Sequence, residues 1–169
     1  ETWQQPVQLT RGRIPAIAVH PRDKCTLFVA LENKLLKTED CSRTFSVVYL
    51  DTRQDKLTSA VVVDHTDPRV VWIANSGGDV LRSGDGGVSW SLSRSLGNPV
   101  LRLVMNSADR RLVYAATKSA GIFRTGDGGA NWRDMSERYR TFPGSMEFSD
   151  LAVGVAQPQV LVFASRFGL

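Results

Sequence analysis

Four kinds of side chain in this sequence could carry chemistry: guanidinium groups, carboxylates, imidazoles and thiols. Arginine leads, with 16 Arg against 5 Lys in 169 residues. A guanidinium grips carboxylate or phosphate in a planar, two-pronged way that an ammonium does not. Asp51, Asp55, Asp79 and Asp150 are carboxylates placed in or beside turns. Glycoside hydrolysis needs two such groups across a cleft, roughly 5–9.5 Å apart, and no spacing here singles out a pair. His20 and His65 have no recognisable Ser or Cys partner for nucleophilic catalysis. With two His and the separated Cys25 and Cys41, metal-ligand spacing is lacking too. The expectation is therefore no metal and no cofactor.

The formal net charge is +4, but the arginines are scattered along the chain. A nucleic-acid binder shows a basic stripe with interleaved aromatics, so nucleic acid is not an expected partner. Hydrophobic residues make up 42%, enough to exclude a disordered chain. No apolar run approaches the ~18 residues of a membrane span. The chain opens on Glu1 without an initiator methionine, which reads as a cut or processed start. Its last residues, "VLVFASRFGL", stop inside a strand-like run. Both ends suggest a piece of something longer.

The elements that must position these groups repeat. "TEDCSRTF" from Thr38, "SGDGGVSW" from Ser83 and "TGDGGANW" from Thr125 are 45 and 42 residues apart. Their shared frame is a hydroxyl residue, Asp two later, Gly two after that (Ser42 in the first), and an aromatic at Phe45, Trp90 and Trp132. Stepping back the same interval from Phe45 reaches Trp3, the end of a further copy. A second landmark recurs with it: an apolar run, a turn containing Pro, Asp or Asn, then a run with an aromatic at Phe28, Trp72, Tyr114 or Phe163. Each unit reads as four short strands separated by turn clusters. Four-stranded units of ~40–45 residues predict β-propeller blades. The predicted fold is all-β, with antiparallel blades over about 14–50, 57–95, 100–136 and 149–169 plus a strand at 3–9. That is about four blade equivalents in one domain or propeller fragment. The only helical hint is a short turn at "DMSERY".

Folding alone accounts for the octet. Asp40, Asp85 and Asp127 accept from backbone N–H groups of their own hairpins. Gly87 and Gly129 supply positive φ, and the hydroxyls of Thr38, Ser83 and Thr125 cap the loop. The rings of Trp90 and Trp132 pack between neighbouring units. In such an up-and-down unit, the turns bearing Cys25 and Cys41 share one end. A disulfide between them is geometrically open, and so are two free thiols. The other end gathers less repetitive loops, which bring Arg11, Arg13, Arg53, Lys56, Asn98, Lys118, Arg138, Tyr139, Arg140 and Arg166 toward one face. Within that set Arg13, Arg53, Asn98, Lys118, Tyr139 and Arg140 are the candidate binding residues. A basic, partly aromatic face of this kind suits an acidic protein, a carboxylated sugar or an anionic head group. The stretch from Tyr139 to Phe148 is the longest loop and a candidate for a specific contact.

The octet resembles the Asp-box, or BNR repeat, S/T-x-D-x-G-x-x-W, of β-propellers such as sialidases, sortilin-type receptors, xyloglucanases and photosystem II assembly factors. The first box departs from that pattern at Ser42 and Phe45. The resemblance implies a blade periphery for the boxes, away from any active site. It also implies a secreted, periplasmic or lumenal location. "RGRIPAIAVHP" is similar to the start of sialidases, whose arginine grips a carboxylate, and Arg13 is the matching residue. The acidic loop expected after the second strand is missing from "ALENKLLKT". The reading is a non-catalytic, extracytoplasmic binding or assembly module for a protein or glycan. A sialidase-like or xyloglucanase-like hydrolase is the alternative. Self-association, or completion by the rest of a longer propeller, is expected at the open flanks.

Overall fold

The computed structural model describes residues 9, 12–137, 140–141, 146–154 and 161–165. The first blade is β1 (Ala16–Val19), β2 (Leu27–Leu31), β3 (Lys34–Thr38) and β4 (Ser46–Leu50). The second is β5 (Thr58–Val63), β6 (Val71–Asn75), β7 (Asp79–Ser83) and β8 (Ser91–Ser95). The third is β9 (Val100–Met105), β10 (Val113–Thr117), β11 (Ile122–Thr125) and β12 (Trp132–Asp134). A pair, β13 (Phe148–Val153) and β14 (Leu161–Ser165), begins a fourth. Each sheet is an antiparallel meander in chain order. Trp3 and the strand expected at 3–9 lie outside the described residues, apart from Leu9. At "DMSERY" the Arg140 N–H donates to the Ser136 carbonyl, closing a single turn.

Strand position within a blade explains composition. The second strands β6 (VWIAN) and β10 (VYAAT) are buried at every residue, because both of their faces meet another blade. The outer strand β8 (SLSRS) is almost wholly exposed and accordingly rich in serine. The cores lie between blades. Phe28, Ala30 and Leu35 meet Val61, Val63, Val71 and Ile73 at the first junction. At the second, Trp72, Ala74 and Val80 meet Leu103, Met105, Val113 and Ala115. Tyr114, Ala116 and Ile122 meet Phe148 and Leu151 at the third.

The box aromatics fill these junctions from the outside. Trp90 sits edge-on to Tyr49 at 5.7 Å, and its Nε1–H donates to the Val48 carbonyl at 2.8 Å. Trp132 sits edge-on to Trp72 at 6.1 Å and donates to Ser93 Oγ at 3.0 Å. Each ring thereby ties its own hairpin to the preceding blade, combining apolar burial with a satisfied indole N–H.

Inside the boxes the hydroxyl and carboxylate share the turn between them. Ser83 Oγ donates to Asp85 Oδ1 at 2.7 Å and accepts from Gly87 N–H at 2.9 Å. Thr125 does the same for Asp127 and Gly129. In the first box Thr38 donates to Asp40 and accepts from Ser42 N–H. The two positive-φ positions are Gly86 and Gly87 in one box and Gly128 and Gly129 in the next. In the first box they are Cys41 (φ 59°) and Ser42 (φ 68°), a conformation costly for side-chain-bearing residues. Cys41 is bonded to Cys25. Its N–H also donates to the Cys25 carbonyl, matching Gly86 to Arg69 and Gly128 to Arg111. The disulfide thus reinforces a contact that the other boxes make by hydrogen bond alone.

Hydrogen bonds to the ionised form hold the box carboxyls at about 2. The Thr44 hydroxyl and amide do this for Asp40, the Ser89 hydroxyl and amide for Asp85, and the Asn131 amide and side chain for Asp127. A folded-state pKa below the unfolded one stabilises above the unfolded value and is lost as pH falls through the folded one. We expect stability to fall between about pH 4 and pH 2 as the boxes take up protons. Asp85→Asn and Asp127→Asn should flatten that fall in a urea titration. A wild-type midpoint unchanged from pH 5 to pH 2 would contradict it.

Candidate functional site

The loops between blades, and between second and third strands, gather at the end opposite the boxes. There the starts of the innermost strands β1, β5, β9 and β13 converge on a cleft of about 440 Å³. Arg13 and Pro15 line it just ahead of β1, Thr58 and Ser59 at the start of β5, Arg102 on β9 and Ser149 on β13. Glu32 and Ser76 enter from the turns after β2 and β6. An adjoining hollow of about 640 Å³ shares Leu101 and Ser149 and adds Lys118, Ser119 and Glu147.

The cations around this mouth differ in how they are used. Arg102 is paired with Asp150 at 3.0 Å. Arg13 and Lys118 are exposed, and among the described residues neither side chain makes a hydrogen bond or ion pair. Ser59 Oγ donates to the Val100 carbonyl at 2.6 Å, stitching β5 to β9 at the floor. The Thr58 hydroxyl, on a buried residue of the wall, has no partner among the described residues.

The remaining candidates serve the scaffold. Arg53 forks onto Asp51, with Nε to Oδ1 at 2.9 Å and Nη2 to Oδ2 at 2.8 Å, and reaches Asp79 at 2.8 Å. Those bonds hold the Asp51 carboxyl at about 2. Asp79 is pushed up by burial, yet ends below its ordinary range because Ser95, Arg53 and Asn75 donate to it. Tyr49 also donates to Asp51, and its phenol is raised to about 12, first by burial and then by the Asp51 charge. Asn98 exchanges two hydrogen bonds with Ser119, joining the loop after β8 to the turn after β10. Arg140 pairs with Asp134. Lys56 pairs with Asp55 at 3.5 Å. Tyr139, Arg11, Arg138 and Arg166 lie outside the described residues.

A larger cleft, about 780 Å³, opens at the box end between the first two blades. Its cations are spent internally: Lys37 on Glu39 and Arg69 on Asp67, while Arg22 donates to the Thr66 carbonyl. Both histidines are at this end. His20 Nδ1 accepts from the amides of Arg22 and Asp23, capping its turn. Asp64 and Asn106 cap the matching turns of the next two blades in the same way. His20 is thus a turn residue, and the axial cleft is the better candidate site. Among the described residues no group of three or more His, Cys, Asp or Glu could hold a metal ion. No helix among them is long and apolar enough to cross a membrane.

Sequence reasoning missed Arg102, Thr58 and Ser59. They sit inside apolar strands, and only their place at the strand starts on the axis marks them.

The fold is that of an Asp-box β-propeller. No known protein family matches the sequence, and no curated protein does. Solved structures do match. An ancestral GH74 enzyme superposes with a TM-score of 0.74 at 18% identity, over 90% of this chain and 22% of its own. The extracellular domain of BT4673, a putative hybrid two-component system from B. thetaiotaomicron, gives 0.73 at 14% identity, over 95% and 21%. YCF48 bound to D1 peptide gives 0.61 at 22% identity, over 74% and 41%. The chain therefore spans less than half the length of each of these proteins. Hydrolases and binding proteins both use this scaffold.

Proposed function

We propose that the chain is a non-catalytic recognition module that takes an acidic segment of a protein or a carboxylated glycan at its axial cleft. The observation that carries this reading is the pair of exposed cations at the mouth, Arg13 and Lys118, neither of which forms an ion pair with a carboxylate among the described residues. A guanidinium without an internal partner is available for two-pronged contact with a ligand carboxylate. Serine and threonine hydroxyls on the walls add neutral donors. A peptide-bound YCF48 supports protein binding as a use of the scaffold. The Cys25–Cys41 disulfide supports an oxidising, extracytoplasmic location.

Hydrolysis is the second reading, and the GH74 likeness is what favours it. Glu32 is the carboxylate on the cleft wall, while Asp51 and Asp79 are committed to Arg53. A partner for Glu32 would have to come from elsewhere. Binding of a poly-glutamate peptide and of polygalacturonate, measured by interferometry, tests the first reading. Arg13→Ala with Lys118→Ala should weaken whichever ligand binds by at least about tenfold, with the melting temperature unchanged. Equal affinity in that double variant would overturn the reading. Turnover of xyloglucan abolished by Glu32→Gln would establish the second.

A further inference from the structure

A hollow of about 250 Å³ lies at the box end between the second and third blades. Asp64, Trp72 and Arg82 line it from the second blade, and Arg110 and Arg111 from the third. Three polar groups on its walls are unused. Asp64 and Trp72 are each 1% exposed, yet Asp64 Oδ2 and Trp72 Nε1 have no hydrogen-bond partner among the described residues. Arg82 Nε is buried without a partner as well. The Arg82 guanidinium lies over the Trp72 ring, with Cζ 5.8 Å from the centroid, and no ion pair among the described residues holds it there. The other charges at the rim are matched already: Asp67 with Arg69 and Arg110, and Arg111 with Asp109.

A dry, unpaired carboxylate oxygen is costly, and the sister blades show that the fold does not need it. Asp64 and Asn106 cap equivalent turns through Oδ1 alone. The second carboxylate oxygen and the charge exceed what the cap requires. Strand pairing sets Lys37, Arg82 and Arg124 opposite Phe28, Trp72 and Tyr114. Phe28 fills its junction with no polar atom, and Lys37 is paired with Glu39 at 2.7 Å. In the third blade Arg124 Nε and Asn106 Nδ2 are also unpartnered, but both are donors. Among the described residues, the second blade alone sets an unpaired carboxylate oxygen beside an unpaired guanidinium and indole N–H.

We propose that this hollow binds a small zwitterion, an α-amino acid, with its ammonium on Asp64 and its carboxylate on Arg82 and the Trp72 N–H. An ammonium only donates and a carboxylate only accepts, which matches the two kinds of unused group. One ligand of zero net charge then neutralises both unpaired charges. The volume suits so small a molecule, since sites for drug-sized ligands begin near ~300 Å³. To reach Oδ2 and Nε1 the ligand draws Arg82 off the Trp72 ring, a movement that breaks no hydrogen bond among the described residues. The site is at the opposite end of the blades from the axial cleft and does not depend on the reading given for that cleft.

The test is calorimetric titration of the 169-residue chain with glycine and with L-alanine. At least one of the two should bind saturably, with one-to-one stoichiometry. Acetate offers the carboxylate alone, and trimethylglycine lacks the ammonium N–H donors. Each should bind at least about tenfold more weakly. Asp64→Asn keeps the capping oxygen, as Asn106 does, and removes the charge. It should lower the affinity at least about tenfold with the melting temperature unchanged, and Arg82→Gln should do the same from the carboxylate side. Acetate binding as tightly as the amino acid would put the contact at another cation, the axial pair included, and overturn the proposal. Equal affinity in Asp64→Asn would do so too. If neither amino acid binds at millimolar concentration, the hollow holds solvent only and the proposal falls.

Discussion

Gly129→Ala should be among the most damaging single-atom additions to this chain, costing about 2–5 kcal/mol of its stability. Two terms add. Gly129 holds φ at +99°, where a side chain costs roughly 1–2 kcal/mol. A Cβ there would lie 2.4 Å from Trp72 Cη2 and 2.6 Å from Ser93 Oγ. Neither neighbour can yield. Trp72 is 1% exposed and held edge-on by Trp132. Ser93 Oγ donates to the Gly129 carbonyl at 2.8 Å and accepts from Trp132. Overpacking a fixed core of this kind costs a further ~1–3 kcal/mol. Against a typical domain stability of ~5–15 kcal/mol, the variant should be marginal at room temperature. Its neighbour provides the internal control. Gly128 has φ of +71° and nothing within 4 Å of its added Cβ, so Gly128→Ala should pay only the backbone cost. Gly87→Ala falls between, with Phe28 at 3.4 Å and Val48 at 3.5 Å. Urea midpoints should run in the order Gly128→Ala, Gly87→Ala, Gly129→Ala. Equal midpoints for the two residues of the third box would show that the junction has slack.

That contrast marks where the sequence could be read and where it could not. Spacing alone placed the blades and boxes, because the octet recurs in register and each of its residues acts within its own hairpin. Trp90 and Trp132 were legible for the same reason. The strain at Cys41 and Ser42 was not read, although they align with Gly86 and Gly87, positions that need positive φ. The alignment was the available signal. Arg53, a candidate binding residue in the sequence, forks locally onto Asp51, but its second partner Asp79 lies 26 residues on, across a blade boundary. A local motif search does not join residues that meet only when two sheets stack. The axial cleft shows the same limit. Arg13 and Lys118 were picked out as loop cations, but Arg102, Thr58 and Ser59 belong to inner strands. They share a wall only because four strand starts converge there.

The latch around Arg53 should produce the second large effect, and one whose size depends on pH. Asp51 and Asp79 come from the link after β4 and the start of β7, and their side chains are only 3% and 10% exposed. Arg53 covers both from the solvent side, with Asn75 Nδ2 donating to Asp51 at 3.1 Å from within. Arg53→Met keeps the length of the stem and removes the charge, leaving two neighbouring carboxylates desolvated and unpaired. Arg53 is itself 53% exposed, so solvent screens part of the loss, but leaving two buried carboxylates without their cation is more costly than losing a surface pair such as Lys56 with Asp55. At neutral pH the melting temperature should drop by about 5 °C. In the wild type the Asp51 carboxyl sits near 2, below its ordinary value, so its contribution is full above about pH 4 and fades as pH falls toward 2. In the variant the same carboxyls repel each other and take up a proton more readily, so their pKa values rise. Acidification then relieves the variant while it weakens the wild type, and the gap between their melting temperatures should close from about pH 5 downward. Asp79→Asn added to Arg53→Met should recover part of the loss at pH 7 by removing one of the two charges. A gap that stays constant from pH 7 to pH 4, with no recovery in the double variant, would mean that Arg53 acts by packing over the loop, and that the two carboxylates never depended on its charge.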